Sequence, residues 1–211
     1  MQNKYPYEEE DIKRWINNDK LFWTNRQKSE AKNPTIITNE KQKEELTIKL
    51  RSERFLIYFN NKITLEKAIE LNNEYNEYLL ENVIPLENAF EVIRRLSDKY
   101  KIQIITNGPH KPALNKIKKI ECSDYIENIY SAEKFGLSKP KIEYMNNVKK
   151  DINNFNNEDY LIIGNSLSVD IKLGMNSNID TCWINFNNEQ VKDEYKPTYI
   201  VNNLEELLKI L

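Results

Sequence analysis

After Pro85 the chain alternates between short apolar runs and amphipathic stretches, and this alternation limits the fold more than any other feature of the sequence. Residues 102–105, 128–131, 160–163 and 181–184 read as strands. Leu86, Ala89, Phe90, Ile93 and Leu96 mark a helix before the first strand. Stretches 112–120, 142–150 and 168–175 read as helices between and after the strands, and a closing helix starts at Leu204. Strands that are apolar on both faces must be covered on both faces, and strands separated by helices return in parallel. The expectation is therefore an α/β fold, a parallel sheet layered between helices. Ligands in such folds sit beyond the carboxyl ends of the strands.

The first part of the chain reads differently. Ile12, Trp15 and Ile16, the stretch 41–54, and Leu71, Tyr75, Tyr78 and Leu79 give three helices and no convincing strand. We therefore divide the 211 residues into a helical region, 1–82, and an α/β region, 83–211. Lys plus Arg is 31 and Asp plus Glu is 33, a balance that argues against a nucleic-acid binder held by phosphate contacts. No apolar run reaches membrane-spanning length, and residues 1–30 have no signal-peptide core. Cys122 and Cys182 are too few for a disulfide framework and read as small core residues. These features point to a cytoplasmic protein without a membrane partner, and they leave the oligomeric state open. Asn is very frequent while Gly is only 4, a bias that reads as AT-rich coding rather than function.

Three clusters fall at strand ends. Thr106-Asn107-Gly108 follows the first strand, where a hydroxyl and turn N–H groups suit an anionic oxygen, although the same tripeptide is an ordinary turn. Gly136-Leu137-Ser138-Lys139-Pro140 precedes a helix and can set an ammonium against a phosphate, or can be a surface lysine. Gly164-Asn165-Ser166-Leu167-Ser168-Val169-Asp170 follows the third strand, and an Asp one turn into a helix can cap it or bind a hard cation. His110, the sole histidine, reads as a solvent-facing loop residue or a substrate contact, and Phe22-Trp23, between two helices, as packing aromatics or a nucleobase slot.

In their order and spacing the three clusters resemble the second, third and fourth motifs of the haloacid dehalogenase-like superfamily of hydrolases. The run 104–108, Gly164-Asn165-Ser166-Leu167, the stretch 181–185 and the ending Pro197-Thr198-Tyr199-Ile200-Val201 are similar to the pyrimidine 5′-nucleotidase branch. The resemblance implies a Rossmann-like three-layer core with a parallel sheet, and a helical cap in residues 1–82. It also implies hydrolysis of a small phosphate ester, a nucleoside 5′-monophosphate, through an aspartyl-phosphate with Mg²⁺. Carried over by motif, Thr106 and the Asn107 turn N–H bind the phosphoryl group, Lys139 balances its charge, and Asp170 and Asn165 support the metal. A metal-free haloacid dehalogenase and a non-catalytic module that keeps the phosphate cradle are the alternatives.

The chain departs from the family at its first motif. That motif is an apolar strand ending in Asp-x-Asp, and no Asp-x-Asp occurs in the 211 residues. The lookalike run 55–64 has Asn60 and Lys62 where the carboxylates belong, and it reads as helix plus loop. The central nucleophile strand is therefore expected to be missing, the natural N-terminus to lie upstream, and the chain as given to be inactive. Pro34-Thr35-Ile36-Ile37-Thr38 or a partner chain is the other way to fill the slot. Asn165, where the family more often has Asp, keeps an oxygen but removes a charge.

Overall fold

The computed structural model describes residues 8–30 and 40–211, so the run Pro34-Thr35-Ile36-Ile37-Thr38 lies outside the described residues. It divides into two compact units, Met1–Glu81 and Asn82–Leu211.

The first unit is helical, with α1 at Glu9–Glu30, α2 at Glu40–Tyr58 and α3 at Leu65–Glu81. The apolar run from Phe55 belongs to α2 as far as Tyr58, because strong helix formers precede it from Glu40 onward. The helix stops where Asn60 and Asn61 turn left-handed, at φ 51° and 57°. There the Asn61 N–H donates to Leu56 O at 2.7 Å, closing one of the last carbonyls. Trp15 packs at 4.7 Å from the Phe55 ring and 5.7 Å from that of Tyr75, joining the three helices. Buried Arg54 ties them again, donating to Asp19 of α1 at 2.7 Å, to Asn72 of α3 at 3.3 Å and to the Arg51 carbonyl at 2.9 Å. Phe22 and Trp23 lie inside α1, which continues past the point where the apolar spacing fades, so they do not sit between helices.

In the second unit, α4 (Ala89–Ser97) leads into β1 (Ile102–Thr106), α5 (His110–Lys119), β2 (Ile126–Ser131), α6 (Ala132–Phe135) and α7 (Ile142–Asp151). Then come β3 (Leu161–Gly164), a π-helical turn over Leu167–Ile171, α8 (Lys172–Ser177), β4 (Asp180–Ile184), β5 (Tyr199–Val201) and α9 (Leu207–Ile210). Every strand pair is parallel: β1 with β2, β3 with β4, and β4 with β5. The chain belongs to the α/β class that the alternation requires. Among the described residues no helix is long and apolar enough to cross a membrane.

The strands form two sheets, β1-β2 and β3-β4-β5, rather than one. Among the described residues β1 is paired only on its β2 side and β3 only on its β4 side. The two sheets nevertheless share their packing. Tyr130, Tyr144, Met145, Val148, Ile162 and Leu173 form one apolar cluster, with Ile105 of β1 against it. On the other side Val92, Leu96, Cys182, Ile184 and Val201 form a second, with Ile102 of β1 and Leu161 of β3 against it. Each cluster thus touches β1 and β3, and the amino ends of those strands meet the same layer. Ile163 is 37% exposed, although it lies in an apolar strand between two such layers.

Candidate active site

Thr106 ends β1, and the chain turns at once: the Thr106 hydroxyl oxygen accepts the Gly108 N–H at 2.9 Å. The oxygen is thereby committed to the turn, while the hydroxyl proton stays available as a donor. The Asn107 side chain points to a different partner. Its Oδ1 accepts the Lys139 N–H at 2.8 Å and its Nδ2 donates to the Lys139 carbonyl at 3.1 Å.

Lys139 lies in the turn between α6 and α7. Gly136 ends α6 at φ 63°, a left-handed position that suits glycine. Lys139 itself is buried, with 8% exposure, so it is not a surface lysine. Its Nζ donates to the Ile105 carbonyl at 2.9 Å and to Asp170 Oδ1 at 2.7 Å. A buried ammonium between a carbonyl and a carboxylate is a fixed positive charge with both neighbours satisfied.

Asp170 enters from the other sheet. The helix that the spacing predicts over 168–175 begins instead as a π turn, in which the N–H groups of Val169, Asp170 and Ile171 all converge on Ser166 O at 2.9–3.4 Å. Such widened turns re-aim a side chain. Here the turn brings Asp170 back over β3, so its Oδ2 accepts the Ser166 N–H at 3.1 Å. Gly164 allows this approach, since a Cβ on it would sit 2.4 Å from three Asp170 side-chain atoms. Trp183, buried in β4, donates its indole N–H to the Asn165 carbonyl at 3.0 Å and holds the loop from below.

The structure thus gathers Thr106, Asn107, Lys139 and Asp170 at the carboxyl ends of β1 and β3. The Asn165 residue is exposed beside them, with its backbone rather than its amide engaged. His110 is the exposed first residue of α5 and lines a cleft with Leu114, Ile117, Ile126 and Ile129. Cys122 and Cys182 are free and buried, and burial pushes both thiols up, Cys182 to about 11.

A magnesium ion asks for six oxygens in near-octahedral array. Among the described residues no group of three or more His, Cys, Asp or Glu side chains is placed to hold a metal. Asp170 has one oxygen on an ammonium and the other on a backbone N–H. The residues gathered here therefore do not by themselves fit the ion that the sequence resemblance implies.

A family model described as haloacid dehalogenase-like hydrolase matches residues 7–184. The chain belongs to the haloacid dehalogenase-like hydrolase family. The HAD-hydrolase YfnB of Bacillus subtilis (strain 168) is 35% identical over 141 residues, 67% of this chain and 60% of that protein. The pyrimidine 5′-nucleotidase YjjG of Escherichia coli (strain K12) is 26% identical over 142 residues, 67% of this chain and 63% of that one. The chain thus spans about three fifths of the length of these curated relatives. A magnesium-bound crystal structure of YfnB superposes with a TM-score of 0.82 at 26% identity, covering 100% of this chain and 86% of that one. Thr106, Asn107, Lys139, Asn165 and Asp170 are the residues that their order and spacing make legible in the sequence. The Asn107 grip on Lys139 and the Trp183 contact are not, since each joins residues far apart in the chain through a main-chain group.

Proposed function

We propose that this chain carries the phosphoryl-binding half of a nucleoside 5′-monophosphate phosphohydrolase centre, and that as a 211-residue polypeptide it binds the ester without hydrolysing it. The observation that carries the reading is the buried Lys139 ammonium, set beside the Thr106 turn where the carboxyl ends of β1 and β3 come together. A fixed ammonium and a hydroxyl donor in a largely desolvated place favour a phosphoryl oxygen, since nothing need reorganise when it arrives. The Asn107 turn N–H adds a third donor. The similarity to a pyrimidine 5′-nucleotidase supports a nucleotide as the ester.

The second half of the proposal follows from Asp170. Displacement at phosphorus through a phospho-enzyme needs a carboxylate oxygen in line with the leaving group. Both Asp170 oxygens are turned toward Lys139 and the Ser166 N–H, and the Asn165 amide is a poor nucleophile. The test is calorimetry of the 211-residue protein with uridine 5′-monophosphate and with uridine, alongside phosphate release in the presence of Mg²⁺. The expected result is binding of the monophosphate, at least about tenfold weaker binding of the nucleoside, and no sustained release. Equal affinity for the two ligands overturns the phosphate cradle. Sustained release overturns the claim of binding without turnover.

A further inference from the structure

We infer that the Asn107 side chain positions Lys139, acting through the lysine backbone and not through a contact of the carboxamide with a ligand. The Asn107 carboxamide accepts from the Lys139 N–H at 2.8 Å and donates to the Lys139 carbonyl at 3.1 Å. A single side chain therefore closes both main-chain groups of one residue, which is what a neighbouring strand does in a ladder. Lys139 needs such a partner, because it sits in a turn and belongs to no strand. At the far end of its side chain the ammonium is held by the carbonyl of Ile105, two residues before Asn107. One short segment of chain thus grips Lys139 at both ends, the backbone by Asn107 and the charge by Ile105. A lysine stem carries much rotamer freedom, and fixing both ends removes it before any ligand arrives.

This role goes beyond the phosphate-binding reading, and only its bearing on a ligand rests on that reading. The substitution Asn107→Leu keeps the approximate shape and removes both bonds. Asn107→Asp keeps the acceptor but turns an oxygen toward the Lys139 carbonyl. Brief acetylation of the folded protein with acetic anhydride, followed by peptide mass spectrometry, reads Lys139 against Lys116 in the same molecule. The buried thiols of Cys122 and Cys182, probed with a disulfide reagent, report general loosening. The expected result is that Asn107→Leu raises Lys139 acetylation about tenfold relative to Lys116, with the thiols still protected, and that Asn107→Asp gives a smaller rise. If the Leu variant does not fold, Asn107→Ala removes the same bonds and carries the same expectation. An unchanged Lys139 ratio in a folded variant overturns the inference, and so does a parallel rise in thiol reactivity. Protection of wild-type Lys139 by uridine 5′-monophosphate is a separate readout. Its failure counts against the phosphate-binding reading and leaves the Asn107 result standing.

Discussion

Replacing Gly164 with Ala tests the junction between β3 and the π turn at its tightest point. The new Cβ falls 2.4 Å from the Cβ, Cγ and Oδ2 atoms of Asp170. Non-bonded carbons rest at about 3.5–4.0 Å, so Asp170 or the strand must move by roughly 1 Å or more. Asp170 cannot move that far and keep its 2.7 Å contact with Lys139, both side chains being about one-tenth exposed. Breaking such a buried pair costs about 3–5 kcal/mol, and relief by strand movement costs about 1–3 kcal/mol for overpacking. We expect a loss of about 3 kcal/mol, large beside a typical folding stability of about 5–15 kcal/mol. The assay is urea unfolding followed at Trp183, with Trp15 and Trp23 replaced by Phe so that the α/β unit alone is read. Asp170→Gly, which removes all three clashing atoms, completes a double-mutant cycle. In its presence Gly164→Ala should cost less than about 1 kcal/mol, a coupling of about 2 kcal/mol or more. Two costs that add within about 0.5 kcal/mol refute the argument, because the damage would then not pass through Asp170.

Other outcomes follow from the same geometry. Arg54→Met strands Asp19 and the buried Asn72 amide, and should destabilise the helical unit by about 2–3 kcal/mol in thermal melts read by circular dichroism. Arg54→Lys should recover little of this, since an ammonium cannot span three acceptors on three helices as a guanidinium does. Gly136→Ala meets nothing within 4 Å but must hold φ at +63°, so its cost in urea unfolding should be the conformational term alone, about 1 kcal/mol. Burial lifts the Cys182 thiol from its ordinary 9.0 to about 11, so the folded state holds that proton more tightly than the unfolded chain. The associated stability is complete below pH 9 and is lost as pH rises towards 11, a change on the order of 2 kcal/mol. In Cys182→Ala that part of the alkaline slope should vanish from the pH dependence of the urea midpoint.

What the sequence reveals, and what it conceals, divides along physical lines. The runs at 102–105 and 181–184 are readable because a strand covered on both faces is mostly apolar, and only Gln103 and Thr181 interrupt them. Strand β5 is hidden because it is only three residues long and two of them, Tyr199 and Ile200, are exposed. The π turn is hidden because its residues have ordinary helical spacing, and the return of Asp170 over the strand, which Gly164 permits, leaves no mark in that spacing. Lys139 and Asp170 are legible as motif residues, but that they pair with each other depends on how two loops 31 residues apart converge. The Asn107 carboxamide shows the limit most clearly. The sequence assigns Asn107 to a turn beside a phosphate, while its side chain spends both polar groups on another residue's backbone.

The scarcity of glycine has left its own mark on the backbone. Of the seven non-glycine residues with positive φ among the described residues, six are asparagine: Asn60, Asn61, Asn88, Asn154, Asn178 and Asn188. Asparagine is the L-residue that enters the left-handed region most easily, because its short amide can bond locally. The chain therefore makes its helix stops and tight corners with a residue that its composition supplies in quantity. A composition rich in asparagine and poor in glycine can thus rewrite the punctuation of a fold while leaving its grammar intact. A sequence richer in glycine is free to place glycine at the same corners without any change in the path of the chain.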